Sequence, residues 1–357
     1  MTSQKPGIIN RQRSDIVKFE MGLSLIELLI SMALGLVLMA GILQIFSASK
    51  RMFELTDDLS VIQEKGQLAI ALLSENIRMA DYWGGIESNA VQFGQTFLSV
   101  SPGECSSQWL FKSDPALIGF EGSSSISGIS TLPSACIENS DYVPHSDLLL
   151  VRYAGSKRSI SDAKIDNAKY KNRYFVRSEL GSLAYVFLGG NSKDALLKIP
   201  ASPFANNMEF HADLFFLRPC SHKRKGSCQD QLPTLMRLTL SGNRFVQQAL
   251  IDGVEQLQFD YGVDTSGNRK VDNYISSPSI NQWKDVISVQ VTLVIRSTEA
   301  DSSIDELDKV YELLGGDNEV LFHHVISEEN RRYHRKVYRR EVVIRNRIIN
   351  KDLDLEK

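Results

Sequence analysis

The chain has 357 residues, of which 43% are hydrophobic and 23% charged, and its formal net charge is -3. This composition excludes a disordered chain, a collagen-like repeat and a polytopic membrane protein. The length alone predicts about two domains. The near-neutral charge gives no general reason to expect a nucleic acid or an acidic surface as partner.

The N-terminal region combines a polar segment with a long apolar one. Residues 1–22 are mildly basic, whereas residues 23–46 contain only Glu27 and Gln44 as strongly polar side chains. As a helix, the apolar segment spans roughly 36 Å, which is enough to cross a bilayer. The preceding basic residues place the N-terminus in the cytoplasm and the remainder of the chain outside it.

Three interpretations of this region compete. A secretory signal peptide explains the basic start, and a plain signal anchor explains the apolar length. Neither explains Glu27, because an ionisable group costs about 2.5–3.5 kcal/mol at the centre of a membrane helix and is usually functional. The third interpretation combines a cleavage before Leu23 with a role for this carboxylate.

The third interpretation is a family resemblance. Gly22, Leu23 and Glu27 together resemble the class III leader of type IV prepilins. The resemblance implies that a prepilin peptidase in the membrane cleaves between Gly22 and Leu23 and methylates the new N-terminus. It also implies that Glu27 acts in assembly. Many major pilins carry a helix-kinking proline where this chain has Gln44, which favours a minor pilin.

Glu27 has a physical reason to pair with a cation after cleavage. The new amine at Leu23 and the Glu27 carboxylate are each costly in an apolar environment, and pairing between neighbouring subunits reduces that cost. Such a pair would also fix the register of apolar helices that otherwise slide past one another.

The helix is expected to continue beyond the membrane. An apolar stripe recurs at helical spacing up to Ile77, and Gly84 and Gly85 supply a stop signal. The stripe comprises Leu55, Leu59, Ile62, Gly66, Ala69, Leu73 and Ile77, with Ser74, Glu75, Asn76 and Arg78 off it. The predicted domains are a leader (1–22), a helix (23–82) that spans the membrane over 23–46, and a globular β-rich head (83–357).

The head is predicted to be a mainly antiparallel β-sheet. Many segments alternate polar and apolar residues, as a strand with one solvated face does. Eight strands are predicted, at Asp147–Ala154, Tyr174–Arg177, Ala184–Leu188, His211–Arg218, Thr234–Ser241, Gln256–Val263, Val286–Ser297 and Val337–Arg347. The fold class is α+β, and the resemblance implies a type IV pilin-like fold with the long helix packed on the sheet.

Four cysteines follow the apolar segment: Cys105, Cys136, Cys220 and Cys228. The expected topology places them in an oxidising compartment, which favours disulfides. Nearest-neighbour pairing, 105–136 and 220–228, is preferred among three connectivities. The alternative is a metal site built from Cys220, Cys228, His211 and His222.

Two further polar segments each allow two interpretations. Asp264, Asn268 and Asp272 surround a glycine and could offer oxygen ligands to calcium, or they could form a polar turn. Residues 331–347 are strongly basic and follow an acidic segment at 299–319. They could bind DNA phosphates or form a charged strand face that pairs with the acidic segment.

No catalytic motif is present. The chain lacks the HExxH, GxSxG, Walker A and dinucleotide-binding patterns. We therefore predict no catalytic residues, no enzymatic activity and no cofactor, with calcium at Asp264, Asn268 and Asp272 as the alternative.

Three further segments narrow the resemblance to PilW-type minor pilins. They are Leu73–Gly84 at the end of the helix, Val254–Asp264 before a Tyr-Gly-x-Asp turn, and Arg331–Arg347, which ends in an Arg-Asn pair. The resemblance implies that the protein primes type IV pilus assembly and sits at or near the filament tip. Its expected partners are the prepilin peptidase, other minor pilins, the major pilin and a tip adhesin.

The expected location is the inner membrane with a periplasmic head, and then the pilus. A minor pseudopilin of a type II secretion system and a pilus-borne module that binds DNA or a surface remain alternatives.

Overall fold

The computed structural model describes residues 24–94, 108–111, 114–129, 131–132, 136–156 and 159–348. Its first element is a single helix, α1, Leu25–Met79, of 55 residues. The predicted leader and cleavage point lie outside the described residues. The chain divides into two compact units, of which the first ends at Thr56 and the second begins at Asp57.

Helix α1 stops where the backbone turns left-handed. Asp81, Gly84 and Gly85 have φ angles of 65°, 74° and 86°, a conformation that breaks a right-handed helix. The stop therefore lies close to the predicted one, but the first left-handed residue after the helix is Asp81 rather than a glycine.

The larger of two main sheets has eight strands. They are β1 Val91–Phe93, β2 Leu117–Phe120, β3 Leu148–Ala154, β4 Tyr174–Glu179, β5 Ala184–Leu188, β6 Ala205–Arg218, β9 Thr234–Ser241 and β10 Arg244–Asp252. The order is β1-β5-β4-β6-β3-β2, and β9 joins β6 to β10. Strand β1 runs parallel to β5, and the other described pairs are antiparallel.

The second main sheet has four strands in the order β12-β11-β13-β16. They are β11 Val254–Val263, β12 Asn273–Ile275, β13 Val286–Arg296 and β16 Arg335–Val343. Two small hairpins complete the strands: β7 Lys223–Arg224 with β8 Ser227–Cys228, and β14 Val310–Leu314 with β15 Val320–Val325. Two short helices, α2 Asp162–Ile165 and α3 Ser192–Lys198, lie between strands of the larger sheet.

The eight-stranded sheet is buried on both faces in its centre. In β3, Leu148 and Leu150 contribute to one core, whereas Leu149 and Val151 contribute to another. The second core also contains the buried face of α1 from Ile62 onward and the inner side of the four-stranded sheet. This double burial explains why β3 reads as a continuous apolar run rather than an alternating one.

The predicted α+β, pilin-like fold, a long helix followed by a mainly antiparallel sheet, is confirmed. The apolar stripe is buried from Ile62 onward, whereas Leu59, the preceding member of the stripe, is 43% exposed. Ser74 and Asn76 lie off the apolar stripe, yet both are buried. Asn76 Oδ1 accepts a hydrogen bond of 3.1 Å from the Tyr153 hydroxyl, so a polar partner makes this burial possible.

The C-terminal strand is shorter than predicted. Strand β16 ends at Val343, and residues 345–348 are helical. The alternating pattern continues past the strand, but Arg347 is buried, and its side chain bonds to Asp81 just after α1 and to the backbone at the start of β13.

Candidate assembly site

The first part of α1 presents an apolar surface with one carboxylate. Large apolar side chains from Leu25 to Phe53 are exposed, and the described residues hold one helix long and apolar enough to cross a membrane. Glu27 lies in the first turn, where its Oε2 accepts a hydrogen bond of 3.2 Å from the backbone N–H of Ser24. The Glu27 side chain is exposed.

The end of α1 is held by the C-terminal residues through a group that we term the clasp: Asp81, Trp83, Asn346 and Arg347. Arg347 Nε donates to Asp81 Oδ2 at 3.0 Å, and Trp83 Nε1 donates to Asp81 Oδ1 at 2.9 Å. The side chains of Arg347 and Asp81 are only 6% and 11% exposed. A buried carboxylate is thus paired with a cation and satisfied by a second donor, as burial requires.

Arg347 also reaches the four-stranded sheet. Its Nη1 donates to the backbone carbonyl of Trp283 at 2.5 Å and to that of Val286 at 2.7 Å. One guanidinium group therefore connects the end of α1, the start of β13 and the C-terminal segment.

Asn346 donates hydrogen bonds to the backbone carbonyl groups at the end of α1. Its Nδ2 lies 2.9 Å from the Ala80 carbonyl oxygen and 3.3 and 3.4 Å from those of Arg78 and Met79. The final carbonyls of a helix have no partner within the helix, so a side-chain amide that donates to them acts as a cap. Asn346 belongs to the Arg-Asn pair near the C-terminus and Trp83 to the Tyr-Trp-Gly motif at the helix end, and the clasp brings these two sequence motifs together.

The segment Val254–Asp264, the remaining motif of the resemblance, contributes Glu255 to a charged network on the four-stranded sheet. Glu255 on β11 receives a bidentate bond from Arg335 on β16, with N–O distances of 2.5 and 3.0 Å. Arg296 Nη1 lies 3.6 Å from the same carboxylate. Burial opposes ionisation, but His324, whose Nε2 lies 3.5 Å from the carboxylate, and the hydrogen bonds and charge of Arg335 lower the pKa of Glu255 to about 2.

Part of the basic C-terminal segment is neutralised by ion pairs within the molecule. Arg331 pairs with Asp305 at 3.2 Å, and Arg335 pairs with Glu306 at 3.0 Å. His334 Nε2 lies 3.3 Å from Asp301. These contacts agree with the interpretation that the basic segment is a charged strand face paired with the acidic segment. They leave fewer unpaired cations for DNA than the count of basic residues in the sequence.

The candidate calcium residues form a tight loop. Asp264 is buried, and its carboxylate accepts bonds from the backbone N–H groups of Gly267, Asn268 and Arg269 at 2.7, 3.1 and 3.0 Å. Asp272 Oδ2 accepts from Thr265 and Ser266 in the same way. These oxygens already have donors, as in a polar turn. Among the described residues, no group of three or more His, Cys, Asp or Glu side chains could hold a metal.

Cys220 and Cys228 form the predicted disulfide, with Cα atoms 5.6 Å apart. Cys136 is also disulfide-bonded, whereas Cys105 lies outside the described residues. The alternative metal site with His211 and His222 is wrong, because the two sulfurs that it requires are bonded to each other.

Sequence reasoning missed the roles of Asp81, Asn346 and Arg347. The sequence showed each motif, but the partners are separated by 266 positions. One signal for these roles was available, namely that Asp81 directly follows the last turn of a long helix. An acid that is buried at such a position requires a cation from a distant part of the chain.

Residues 222–346 match the family model PilW, the type IV pilus-assembly protein W. No curated protein and no solved structure matches the chain. The matched region contains Glu255, Arg335 and Asn346, and it ends next to Arg347. The match supports a PilW-type minor pilin with a part in type IV pilus assembly, and this family is a pilus component rather than a known enzyme.

Proposed function

We propose that this chain is a minor pilin that primes type IV pilus assembly together with other minor pilins and sits at or near the filament tip. The observation that carries the proposal is an exposed apolar helix with a single carboxylate in its first turn, on a chain whose head matches PilW. The chain takes no catalytic part in this proposal.

Processing precedes assembly. The prepilin peptidase cleaves between Gly22 and Leu23 and methylates the amine of Leu23, while the apolar helix holds the chain in the inner membrane with its head in the periplasm. Mass spectrometry of the mature N-terminus tests this step. N-methyl-leucine is the expected first residue, and an intact leader or a cut near Ala48 would contradict it.

Glu27 then selects the position of the subunit. Its carboxylate pairs with the N-terminal amine of a neighbouring pilin. Away from water, each of these two charges is costly unless the other is present. The major pilin and other minor pilins are the partners that supply this amine, and a tip adhesin is a further expected partner.

A strain lacking the chain should carry few surface pili, and the wild-type gene should restore them. Glu27→Val should not restore them, because its apolar side chain cannot pair with the amine. Glu54→Gln is the matched control, since Glu54 is an exposed carboxylate on the same helix. Normal pilus numbers with Glu27→Val would refute the pairing step.

Position along the filament requires a separate measurement. Gold-labelled antibodies against the head should mark the ends of sheared pili, and labelling along the whole length would contradict a tip location. Loss of protein secretion without loss of pili in the deletion strain would instead indicate a pseudopilin.

A further inference from the structure

A small basic hairpin projects between Cys220 and Cys228, and we call residues 220–228 the basic hairpin. Strand β7 pairs with β8 across a two-residue turn, in which Lys225 and Gly226 have φ angles of 49° and 83°. Two positive φ angles are the signature of a type I′ turn, which suits a tight hairpin. The disulfide closes its base and stabilises it further.

Neighbouring side chains fix the base of the basic hairpin. Arg218 donates to the carbonyls of Cys220 and Ser221 at 2.8 and 2.6 Å. Asp230 accepts from the N–H groups of Ser221 and His222 at 2.8 and 3.0 Å. The backbone is therefore preorganised, and a ligand would not have to order it on binding.

The basic hairpin carries cations and no acid. Lys223 turns back onto Asp141 at 2.7 Å and Glu138 at 3.3 Å, so it anchors the hairpin to the head. Arg224 and Lys225 are exposed at the tip, and neither forms an ion pair with any residue in the part of the chain that the structure describes. The fixed backbone of the hairpin thus presents two positively charged side chains to an external anion.

We propose that the basic hairpin binds the phosphate backbone of double-stranded DNA through Arg224 and Lys225. A two-stranded ribbon fits the major groove, which is about 12 Å wide. Arginine and lysine donate to phosphate oxygens without reading base sequence. This contact is independent of the proposed role in assembly.

The composition of the hairpin disfavours a lipid bilayer and single-stranded nucleic acid as its partners. Residues 221–227 include no apolar side chain, so the hairpin has nothing to insert into a lipid bilayer. They also include no Phe, Tyr or Trp on which an unpaired base could stack. Duplex phosphates are therefore the favoured ligand, and binding should not depend on sequence.

The charge count sets the expected salt dependence. Neutralising two phosphates gives a slope of about -1.8 for log K against log salt. Raising the salt from about 50 to about 200 mM should therefore weaken binding about twelvefold.

Fluorescence anisotropy of the full chain in detergent micelles with a labelled 20-base-pair duplex tests the proposal. The double variant Arg224→Gln/Lys225→Gln should lose at least about tenfold in affinity at low salt, and its salt slope should flatten. The double variant Lys336→Gln/Arg340→Gln is the matched control, because it removes the same charge from exposed positions on β16. It should bind within about twofold of the wild type.

Circular dichroism and mass spectrometry of the Cys220–Cys228 bond verify that each variant is folded. The proposal is overturned by an absence of duplex binding at low salt or by equal losses in the two variants. Tighter binding to polyglutamate, or to vesicles containing phosphatidylglycerol, would also overturn it by assigning the hairpin to an acidic protein or a membrane.

Discussion

The clasp predicts a large and specific cost for replacing Arg347 by methionine. Methionine preserves much of the apolar stem but removes the 3.0 Å bond to Asp81 and the donors to the carbonyls of Trp283 and Val286. Removing one partner of a buried pair costs about 3–5 kcal/mol, because the remaining charge is left uncompensated. We expect the free energy of unfolding to fall by about 4 kcal/mol, a large fraction of a typical domain's stability.

A double-mutant cycle with Asp81→Asn identifies the source of this cost. Asparagine keeps an acceptor for Trp83 and tolerates the left-handed backbone at position 81, but it carries no charge. Arg347→Met should therefore cost less in the Asp81→Asn background, with a coupling energy of about 2 kcal/mol.

The assay is urea unfolding of the full chain in detergent micelles, followed by tryptophan fluorescence. Trp83 belongs to the clasp, and the carbonyl of Trp283 accepts a bond from Arg347. Both indole rings are buried, so their emission reports on this region. Arg345→Met is the control, since Arg345 is exposed and its replacement should change stability by less than about 0.5 kcal/mol. Equal stability of the Arg347 and Arg345 variants, or strictly additive effects in the cycle, would refute the reasoning.

Four further predictions concern stability. Asn346→Asp should lower the melting temperature more than Asn346→Ala, because it places an anion at the negative end of α1 instead of a donor; the reverse order would exclude capping. Gly66→Ala should destabilise the wild type because its Cβ would overlap the Tyr338 ring, yet stabilise a Tyr338→Ala background through helix propensity; the same sign in both backgrounds would contradict this steric account. Burial raises the pKa of Asp147 from 3.8 to about 7, so its contribution to stability is present below about pH 4 and lost as the pH rises through 7. Urea unfolding across this range should show a shallower pH dependence for Asp147→Asn than for the wild type. Asp264→Asn should cost about 1–3 kcal/mol through lost loop hydrogen bonds, and millimolar calcium should leave the wild-type melting temperature unchanged; a calcium-dependent rise would establish the metal site.

Local sequence patterns predicted the elements that depend on local chemistry. Strands β5 and β9 have their predicted bounds, and β3 and β13 differ by one residue at one end. Alternation and β-branched composition are properties of the segment itself, which explains this agreement. Strand β10 was missed because its alternation is weak, and its pairing with β9 across a tight turn determines its conformation.

The sequence by itself determined that α1 is one long helix with an apolar first part, a carboxylate at Glu27 and a stop shortly before Gly84, because helical periodicity is a local property. Only the tertiary structure decided that Asn76 is buried, that the basic C-terminal segment pairs with the acidic one, and that Arg347 bonds to Asp81. These are pairings of polar groups over long separations. Desolvation makes them necessary, but nothing local in the sequence identifies the partner that satisfies each one.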